Sequence, residues 1–113
     1  MLPKKNRLSE EQDFEKLKKE GKIVPGRFFG LLKKENGTGV TRFGFIVSTK
    51  VSKKAVERNR AKRLLRVSCR NLLKEVKEGF DFLLLAKKNL SQASQEQVQE
   101  DLKTILEKEN LCK

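Results

Sequence analysis

Residues 50–74 hold ten lysines and arginines but only one acid, Glu57. This basic window contributes a net charge of +9 to a 113-residue chain whose total is +12. Its basic residues are Lys50, Lys53, Lys54, Arg58, Arg60, Lys62, Arg63, Arg66, Arg70 and Lys74. Guanidinium and ammonium groups bind phosphates, and a guanidinium can donate two parallel hydrogen bonds to one phosphate. The window therefore predicts a polyanion-binding surface and favours a nucleic acid as the partner, since clustered Lys and Arg at a pI near 10.0 are typical of nucleic-acid binders.

Most of this window is predicted to be one long helix, over about residues 54–76, with its charges on one side. At about 100° per residue, one arc of the helix is cationic and contains Arg58, Lys62, Arg66, Asn59, Arg70, Arg63 and Lys74. The opposite arc is formed by Ala61, Leu64, Leu65, Ser68 and Leu72. Arg60 falls on the boundary between the two. The helix is therefore expected to pack on a sheet through one side and to bind RNA or DNA through the other.

A solvated helix face is the alternative interpretation of these charges. Solvated faces usually mix acids with bases four residues apart, whereas like charges recur here at 58, 62, 66 and 70. Each such pair destabilises an isolated helix by a few tenths of a kcal/mol, roughly. An anionic partner would relieve this repulsion, so the pattern favours a binding face.

Residue types that catalyse reactions are scarce in the chain. It contains no histidine and no tyrosine, and no phosphate-binding glycine loop or Cys/His metal motif. Carboxylates such as Glu96, Glu100 and Asp101 are spread along a helix instead of converging, as two-metal hydrolysis requires. We expect no catalytic residue and no metal site in the chain, which favours a subunit that positions RNA.

Composition also bounds the cellular setting. No apolar run approaches the ~20 residues that span a bilayer, and no apolar segment follows the basic N-terminus as in a signal peptide. The two cysteines, Cys69 and Cys112, form no disulfide framework. We expect no membrane partner, a cytoplasmic location and a buried reduced thiol at Cys69.

The first predicted element is a short helix that ends near Glu20. Ser9, with Gln12 three residues later, matches the capping box that starts many helices. Gly21 suits the position that follows a last helical turn.

Strands and turns are predicted on both sides of the basic helix. Residues 23–24 are a possible short strand, followed by strands over 27–33 and 40–49 with a turn at 35–39 between them. Residues 80–86 form a nearly continuous apolar run, which indicates a buried strand.

A last helix is predicted after Ser94, with Gln97 completing a second capping box. Its apolar stripe is Val98, Leu102, Ile105 and Leu106. The predicted order is α-β-β-β-α-β-α: an α+β, two-layer sandwich with a mixed sheet of about four strands and the basic helix in a β-α-β crossover. We expect one RNA-binding domain over residues 1–113, with residues 110–113 as a loose tail.

Several of these motifs together resemble the bacterial ribonuclease P protein component. The matching segments are Arg58-Asn59-Arg60 followed by Lys62, Arg63 and Arg66; Ala55-Val56 before them; residues 42–48; Lys5-Asn6-Arg7-Leu8; and Phe14. They occur in the family's order over about residues 5–86. The tripeptide alone is weak evidence, whereas the ordered set is specific.

The resemblance implies a role in tRNA maturation. In that family the protein is the small subunit of a ribonucleoprotein whose RNA subunit uses Mg²⁺ to remove the 5′ leader of precursor tRNA. The implied partners are ribonuclease P RNA and precursor tRNA, no protein partner is required, and Mg²⁺ acts through the RNA subunit. The family fold has the order predicted above, with a left-handed β-α-β crossover that sequence patterns do not reveal.

The resemblance also implies two sets of binding residues. Contacts to the RNA subunit would come from Lys50, Lys53, Lys54, Arg58, Asn59, Arg60, Lys62, Arg63, Arg66 and Arg70. Contacts to the single-stranded leader would come from Arg7, Phe14, Lys18, Arg27 and Arg42. An aromatic ring at Phe14 would stack on unpaired bases with little sequence preference, although a core position under the first helix is the alternative for this residue.

Four positions depart from the family pattern. Lys18 and Leu32 stand where relatives often have aromatic residues, so leader binding is expected to depend more on charge than on stacking. Val67 replaces a residue that is often polar or acidic, and Ser52 replaces a common glycine.

Two other functions remain compatible with the charge pattern. A ribosomal or assembly-type RNA-binding protein would have the same charge and fold class. A basic DNA-binding module is disfavoured, because neither a helix-turn-helix nor a basic-zipper pattern is present.

Overall fold

A computed structural model of the chain, which describes residues 2–8 and 10–113, has a four-stranded sheet with helices on both faces. The helices are α1 Glu11–Glu20, α2 Ala55–Leu72 and α3 Gln95–Lys108. The strands are β1 Lys22–Pro25, β2 Phe29–Glu35, β3 Arg42–Ile46 and β4 Phe80–Ala86. Short 3-10 segments occupy Lys4–Asn6, Leu73–Glu75 and Lys88–Gln92. The predicted α+β class and element order are confirmed.

The strands lie in the order β1-β2-β4-β3. β2 pairs antiparallel with both β1 and β4, whereas β3 runs parallel to β4, so α2 is the connection of a β-α-β unit. β4 takes a central place because its Phe82, Leu83 and Leu84 side chains are fully buried and need cover on both faces. The turn at 35–39 therefore does not close a hairpin, since β4 lies between β2 and β3. The handedness of the crossover stays a prediction.

The main core lies between one face of the sheet and helices α2 and α3. Alternate strand residues such as Leu31, Phe43 and Leu84 point to this side and pack with Leu65 of α2 and Leu102 of α3. Cys69 is also fully buried here, as predicted, and burial raises the pKa of its thiol well above the usual value.

Helix α1 covers part of the second face. Leu17 packs against Leu32 and Leu83, the neighbours in sequence of the residues that face the main core, and Leu8 and Phe14 complete the cluster. The two-layer arrangement is thus extended by a short third layer. The part of this face that contains Ile46 and Leu85 is only partly covered.

The predicted helix boundaries are close to those observed. Ser94 accepts a hydrogen bond from the backbone N–H of Gln97, whose side chain accepts one from the backbone N–H of Ser94, so the second capping box is confirmed. The first capping box was assigned to Ser9, which lies outside the described residues; α1 has Glu10 at its N-cap position.

The prediction that residues 110–113 form a loose tail is wrong. Leu111 is buried in the main core, and its carbonyl accepts a hydrogen bond from Lys77 at 2.7 Å. Lys113 donates its backbone N–H to Glu75, and Cys112 forms a β-bridge with Val76. Asn110 reverses the chain with a φ of 57°, a conformation that Asn tolerates better than most residues. The segment therefore packs against the connection that follows α2.

Candidate RNA-binding surfaces

The loop before α2 is ordered by hydrogen bonds around Ser52. Its hydroxyl donates to Glu57 at 3.1 Å and accepts the backbone N–H of Lys54, while its carbonyl accepts a bond from Arg58 Nη1 at 3.0 Å. Val51, next to it, is buried in the main core. This network leaves Lys50, Lys53 and Lys54 exposed at the start of the helix. Arg58 is only half-exposed, because part of its guanidinium group holds the loop.

The outward face of α2 has a different set of cations. Arg63 and Arg70 are exposed there, two helical turns apart. A shallow hollow of about 460 Å³ is lined by Val56, Asn59, Arg60, Arg63 and Arg66. Val56 is 80% exposed, although it is apolar. Val56 was named as part of the family resemblance, but no binding role was predicted for it, although its seven-residue spacing to Arg63 and then Arg70 was a usable signal.

Arg60 points toward the opposite edge of α2. Its Nη1 donates to the carbonyl of Ser91 at 2.9 Å and its Nη2 to the carbonyl of Ala93 at 3.2 Å. These carbonyls end the 3-10 segment that leads into α3. Arg60 therefore has a structural role, although it also borders the outward hollow.

Lys62 and Arg66 lie on the other edge of the cationic arc and face a second groove. This groove, of about 190 Å³, is lined by Leu2, Arg7, Leu8, Phe14, Phe43, Phe45, Lys62 and Arg66. The N-terminal segment reaches it by pairing with β3, where Leu8 donates its backbone N–H to Phe43 at 2.8 Å. Arg7 is held in turn by a bond from its Nε to the carbonyl of Leu2. Residues assigned to the leader and to the RNA subunit therefore meet in one groove.

Phe14 approaches the backbone of β3 because residue 44 is a glycine. A Cβ on Gly44 would lie 2.5 Å from the Phe14 ring and 3.2 Å from Leu83. The ring packs with Leu8 and Leu17 and also lines the groove. Phe14 is half-buried, so the aromatic-contact and core interpretations both describe part of its surroundings.

An open apolar strip runs from Phe14 across the second face of the sheet. Ile46 and Leu85 are only partly buried there, and Ile23 on β1 is 59% exposed. Lys18 follows Phe14 by one turn of α1 and is exposed on the same side of the helix. The strip therefore has a cation and an aromatic ring on one border.

Arg42 lies on the other side of α1 and is paired with acids. Its Nε and Nη2 donate to both carboxylate oxygens of Asp81 at 2.9 and 2.7 Å, and Asp13 of α1 lies 3.6 Å from its Nη1. The hydrogen bond to Asp81 raises the pKa of Arg42 above its usual value. Lys34 similarly pairs with Glu20 at 2.8 Å and lowers the pKa of that carboxyl. These contacts hold α1 on the sheet.

Arg27 lies just before the first residue of β2. Arg42 is level with the other end of that strand, because Asp81 pairs with both Arg42 and Lys34. The backbone N–H groups of Arg27 and Phe28 donate to the carboxylate of Asp101 on α3, at 2.9–3.1 Å. The guanidinium group of Arg27 stacks 4.8 Å from the centre of the Phe28 ring.

The five residues assigned to the leader are therefore divided. Arg7, Phe14 and Lys18 lie close together, whereas Arg27 and Arg42 flank the sheet at its two ends. Asp101 was not predicted, because its partners are more than seventy residues distant in sequence.

The described residues were compared with the requirements of a metal site and of a membrane-spanning helix. Within residues 2–8 and 10–113, no three acidic, Cys or His side chains are placed to hold a metal ion. In the same part of the chain, every helix is too short or too polar to span a bilayer.

Comparison with known proteins gives a consistent family. The Ribonuclease P family matches residues 2–110. A ribonuclease P protein component of Pseudanabaena sp. is 39% identical over 109 residues, which cover 96% of this chain and 94% of that protein. The protein of the same name from Pelotomaculum thermopropionicum is 35% identical, with 89% of each chain covered.

Solved structures agree with the sequence comparison. The RNase P protein of Staphylococcus aureus superposes with a TM-score of 0.84 at 25% identity, covering 96% of this chain and 98% of that one. The RNase P protein of Thermotoga maritima gives a TM-score of 0.81 at 32% identity, covering 90% and 96%. With its fold, its basic helix and nearly its whole length matched, the chain belongs to the ribonuclease P protein family.

Proposed function

We propose that this chain binds ribonuclease P RNA through α2 and the 5′ leader of precursor tRNA through the groove beside α1. The observation that carries the proposal is the family match over residues 2–110, since members of this family are subunits of the ribonucleoprotein enzyme that matures tRNA 5′ ends. The charge distribution supports it, because the cationic surface faces away from the core.

The RNA subunit is assigned to the loop before α2 and to the helix's outward face. Lys50, Lys53, Lys54, Asn59, Arg63 and Arg70 are exposed and available for phosphate or ribose contacts. Arg58 and Arg60 act mainly by holding the loop and the approach to α3, and they contribute charge to the same field. Since the helix rises about 1.5 Å per residue, the surface extends over roughly 25 Å, a length that suits a structured RNA.

The leader is assigned to the groove and the open strip next to it. Phe14 provides a ring on which an unpaired base can stack, and Arg7 and Lys18 provide cations for the neighbouring phosphates. Stacking tolerates any base, as a subunit that serves many precursors requires.

Further cations surround the leader site. Lys62 and Arg66 border the groove, so the leader would pass next to the RNA subunit. Arg27 and Arg42 would add long-range attraction, the latter reduced by its pairing with Asp81.

The hydrolytic chemistry is assigned to the RNA subunit, with Mg²⁺ bound by RNA. The chain's contribution is positive charge, which lowers the repulsion between two polyanions and therefore reduces the Mg²⁺ concentration that cleavage requires. Because precursor tRNA is its substrate, we place the complex in the cytoplasm.

Reconstitution tests this function. The chain is added to a bacterial ribonuclease P RNA and a precursor tRNA at a Mg²⁺ concentration too low for the RNA alone. We expect release of the leader with a correct mature 5′ end. An unrelated basic protein of similar charge is the control. If the chain stimulates cleavage no more than this control, the proposal fails and a ribosomal or assembly-type role is favoured.

A further inference from the structure

Val56 is an exposed apolar side chain in the middle of a cationic surface. It is 80% exposed and lines the outward hollow of α2 with Asn59 and Arg63. In the described part of the chain the other large exposed apolar side chain is Ile23, on the second face of the sheet. Val56 therefore does not belong to the core, and core packing does not explain why an apolar residue occupies this position.

Helix stability does not explain a valine at this position. A β-branched side chain is less favourable in a helix than alanine, because the preceding turn leaves it only one strongly preferred χ1 rotamer. At the second residue of α2 an alanine would leave no buried cavity, since Val56 is 80% exposed. A role in binding accounts for the methyl groups better than a role in folding.

The surroundings of Val56 define the class of ligand. All seven phenylalanines lie elsewhere, in the cores or, for Phe14 and Phe45, at the other groove. A surface without aromatic rings is poorly suited to unpaired bases, which are usually bound by stacking. Duplex RNA is recognised by shape, through ribose and phosphate contacts across its wide, shallow minor groove. A small non-ionic centre between cations fits such a groove.

We propose that α2 lies across the minor groove of a double-helical element of the RNA subunit, with Val56 and Asn59 against the riboses. Asn59 would hydrogen-bond a 2′-hydroxyl, and the methyl groups of Val56 would cover the apolar edge of a sugar. Lys53 and Lys54 would bind phosphates at one border of the groove and Arg63 and Arg66 at the other. Val56 lies roughly 10 Å from Arg63 along the helix axis, which separates the non-ionic centre from the phosphate-binding arginine.

This inference rests on the proposed function, and its test separates the two. The affinity of the full chain for ribonuclease P RNA, without precursor tRNA, is measured over a series of salt concentrations. Val56→Ala should weaken binding about fivefold at every salt concentration, because the lost contact is non-ionic, about one buried methylene or slightly more. Arg63→Gln should weaken binding and also reduce the slope of log K against log salt by about 1. Thr104→Ala, at an exposed β-branched residue of α3 that lines neither RNA surface, is the matched control and should leave the affinity for this RNA unchanged.

Thermal unfolding distinguishes a lost RNA contact from a folding defect in Val56→Ala. The melting temperature of Val56→Ala should equal or exceed that of the unsubstituted chain, because alanine is the better helix former. A short RNA duplex should compete for the chain better than a DNA duplex of the same sequence or a single strand. That preference should shrink in Val56→Ala.

The outcomes are distinct. If the unsubstituted chain does not bind ribonuclease P RNA, the proposed function itself fails. If it binds and Val56→Ala binds equally well, or if single-stranded RNA competes better than duplex, only the minor-groove inference is overturned.

Discussion

Arginines that are close in the sequence have different surroundings in the fold. Arg58 donates to the carbonyl of Ser52, Arg60 to two carbonyls before α3, and Arg63 is exposed. A helical wheel predicted the cationic arc but could not separate these roles, because the carbonyl partners of Arg60 are about thirty residues away in sequence. The basic motif therefore combines residues that order the protein with residues that are free to bind RNA.

Charge reversal at exposed positions should remove RNA binding without unfolding the chain. In Arg63→Glu/Arg70→Glu we expect affinity for ribonuclease P RNA to fall at least about a hundredfold, since two phosphate contacts are replaced by two repulsive charges. The matched control is Lys103→Glu/Lys108→Glu on α3, which changes the net charge equally. Filter binding measures the affinities and circular dichroism the fold. Equal losses in the two variants would show that only net charge matters.

Gly44 is the residue that permits Phe14 to lie against β3. Gly44→Ala should destabilise the fold by about 1–3 kcal/mol, because the new methyl group would overlap the ring and displace it. Urea unfolding measures the loss. Phe14→Leu combined with Gly44→Ala should recover part of it, since the shorter side chain leaves room. Additive losses in the double variant would contradict direct contact between the two positions.

The resemblance assigned Phe14 and Arg42 to one leader-binding surface, but the two residues have different contacts in the fold. Phe14 and Arg7, both assigned to the leader from the resemblance, line one groove. Arg42 was assigned to the same leader surface, yet its guanidinium group is paired with Asp81, thirty-nine residues away. An ion pair between distant positions has no local signature, so such contacts were beyond prediction from one sequence.

Local sequence patterns predicted the helices and strands but not the order of the strands in the sheet. The apolar run at Phe80–Ala86 is the strand β4 with the predicted limits, and the Ser94 capping box starts α3. The position of β4 between β2 and β3 was not predicted. Strand order depends on which strand buries both faces, a property of the assembled core and not of any single segment.

The C-terminal segment shows how a polar composition can conceal a core residue. Leu111 is surrounded in sequence by Asn110, Cys112 and Lys113, and no periodic pattern marks it, yet it is 3% exposed. Leu111→Ala should lower the free energy of unfolding by about 2–4 kcal/mol through the cavity that it leaves. Urea unfolding measures this, with Lys113→Ala as the control at an exposed neighbour. A loss below about 0.5 kcal/mol, typical of surface substitutions, would contradict the packed arrangement.

At the scale of the whole molecule, a net charge of +12 works against the compact state. Anions that bind the cationic surface should stabilise the fold by linkage. We expect millimolar sulfate to raise the melting temperature more than chloride at equal ionic strength, at a concentration too low for general exclusion of sulfate from protein surfaces to matter. The gain should be smaller in Arg63→Glu/Arg70→Glu. Identical melting curves in the two salts would contradict the prediction.

The two RNA surfaces lie on neighbouring sides of α2 and share Arg66. The outward face of the helix is assigned to the RNA subunit, and the groove formed with Arg7 and Phe14 is assigned to the leader. The chain would thus favour substrate over product, because mature tRNA has no leader to occupy the groove.

The most direct test compares the affinity of the reconstituted complex for precursor tRNA and for the same tRNA without its leader. Adding the chain to ribonuclease P RNA should raise the affinity for the precursor at least about tenfold more than the affinity for mature tRNA, since one stacked base is worth roughly 1–3 kcal/mol. If the chain raised both affinities equally, or neither, the assignment of the groove to the leader would be wrong.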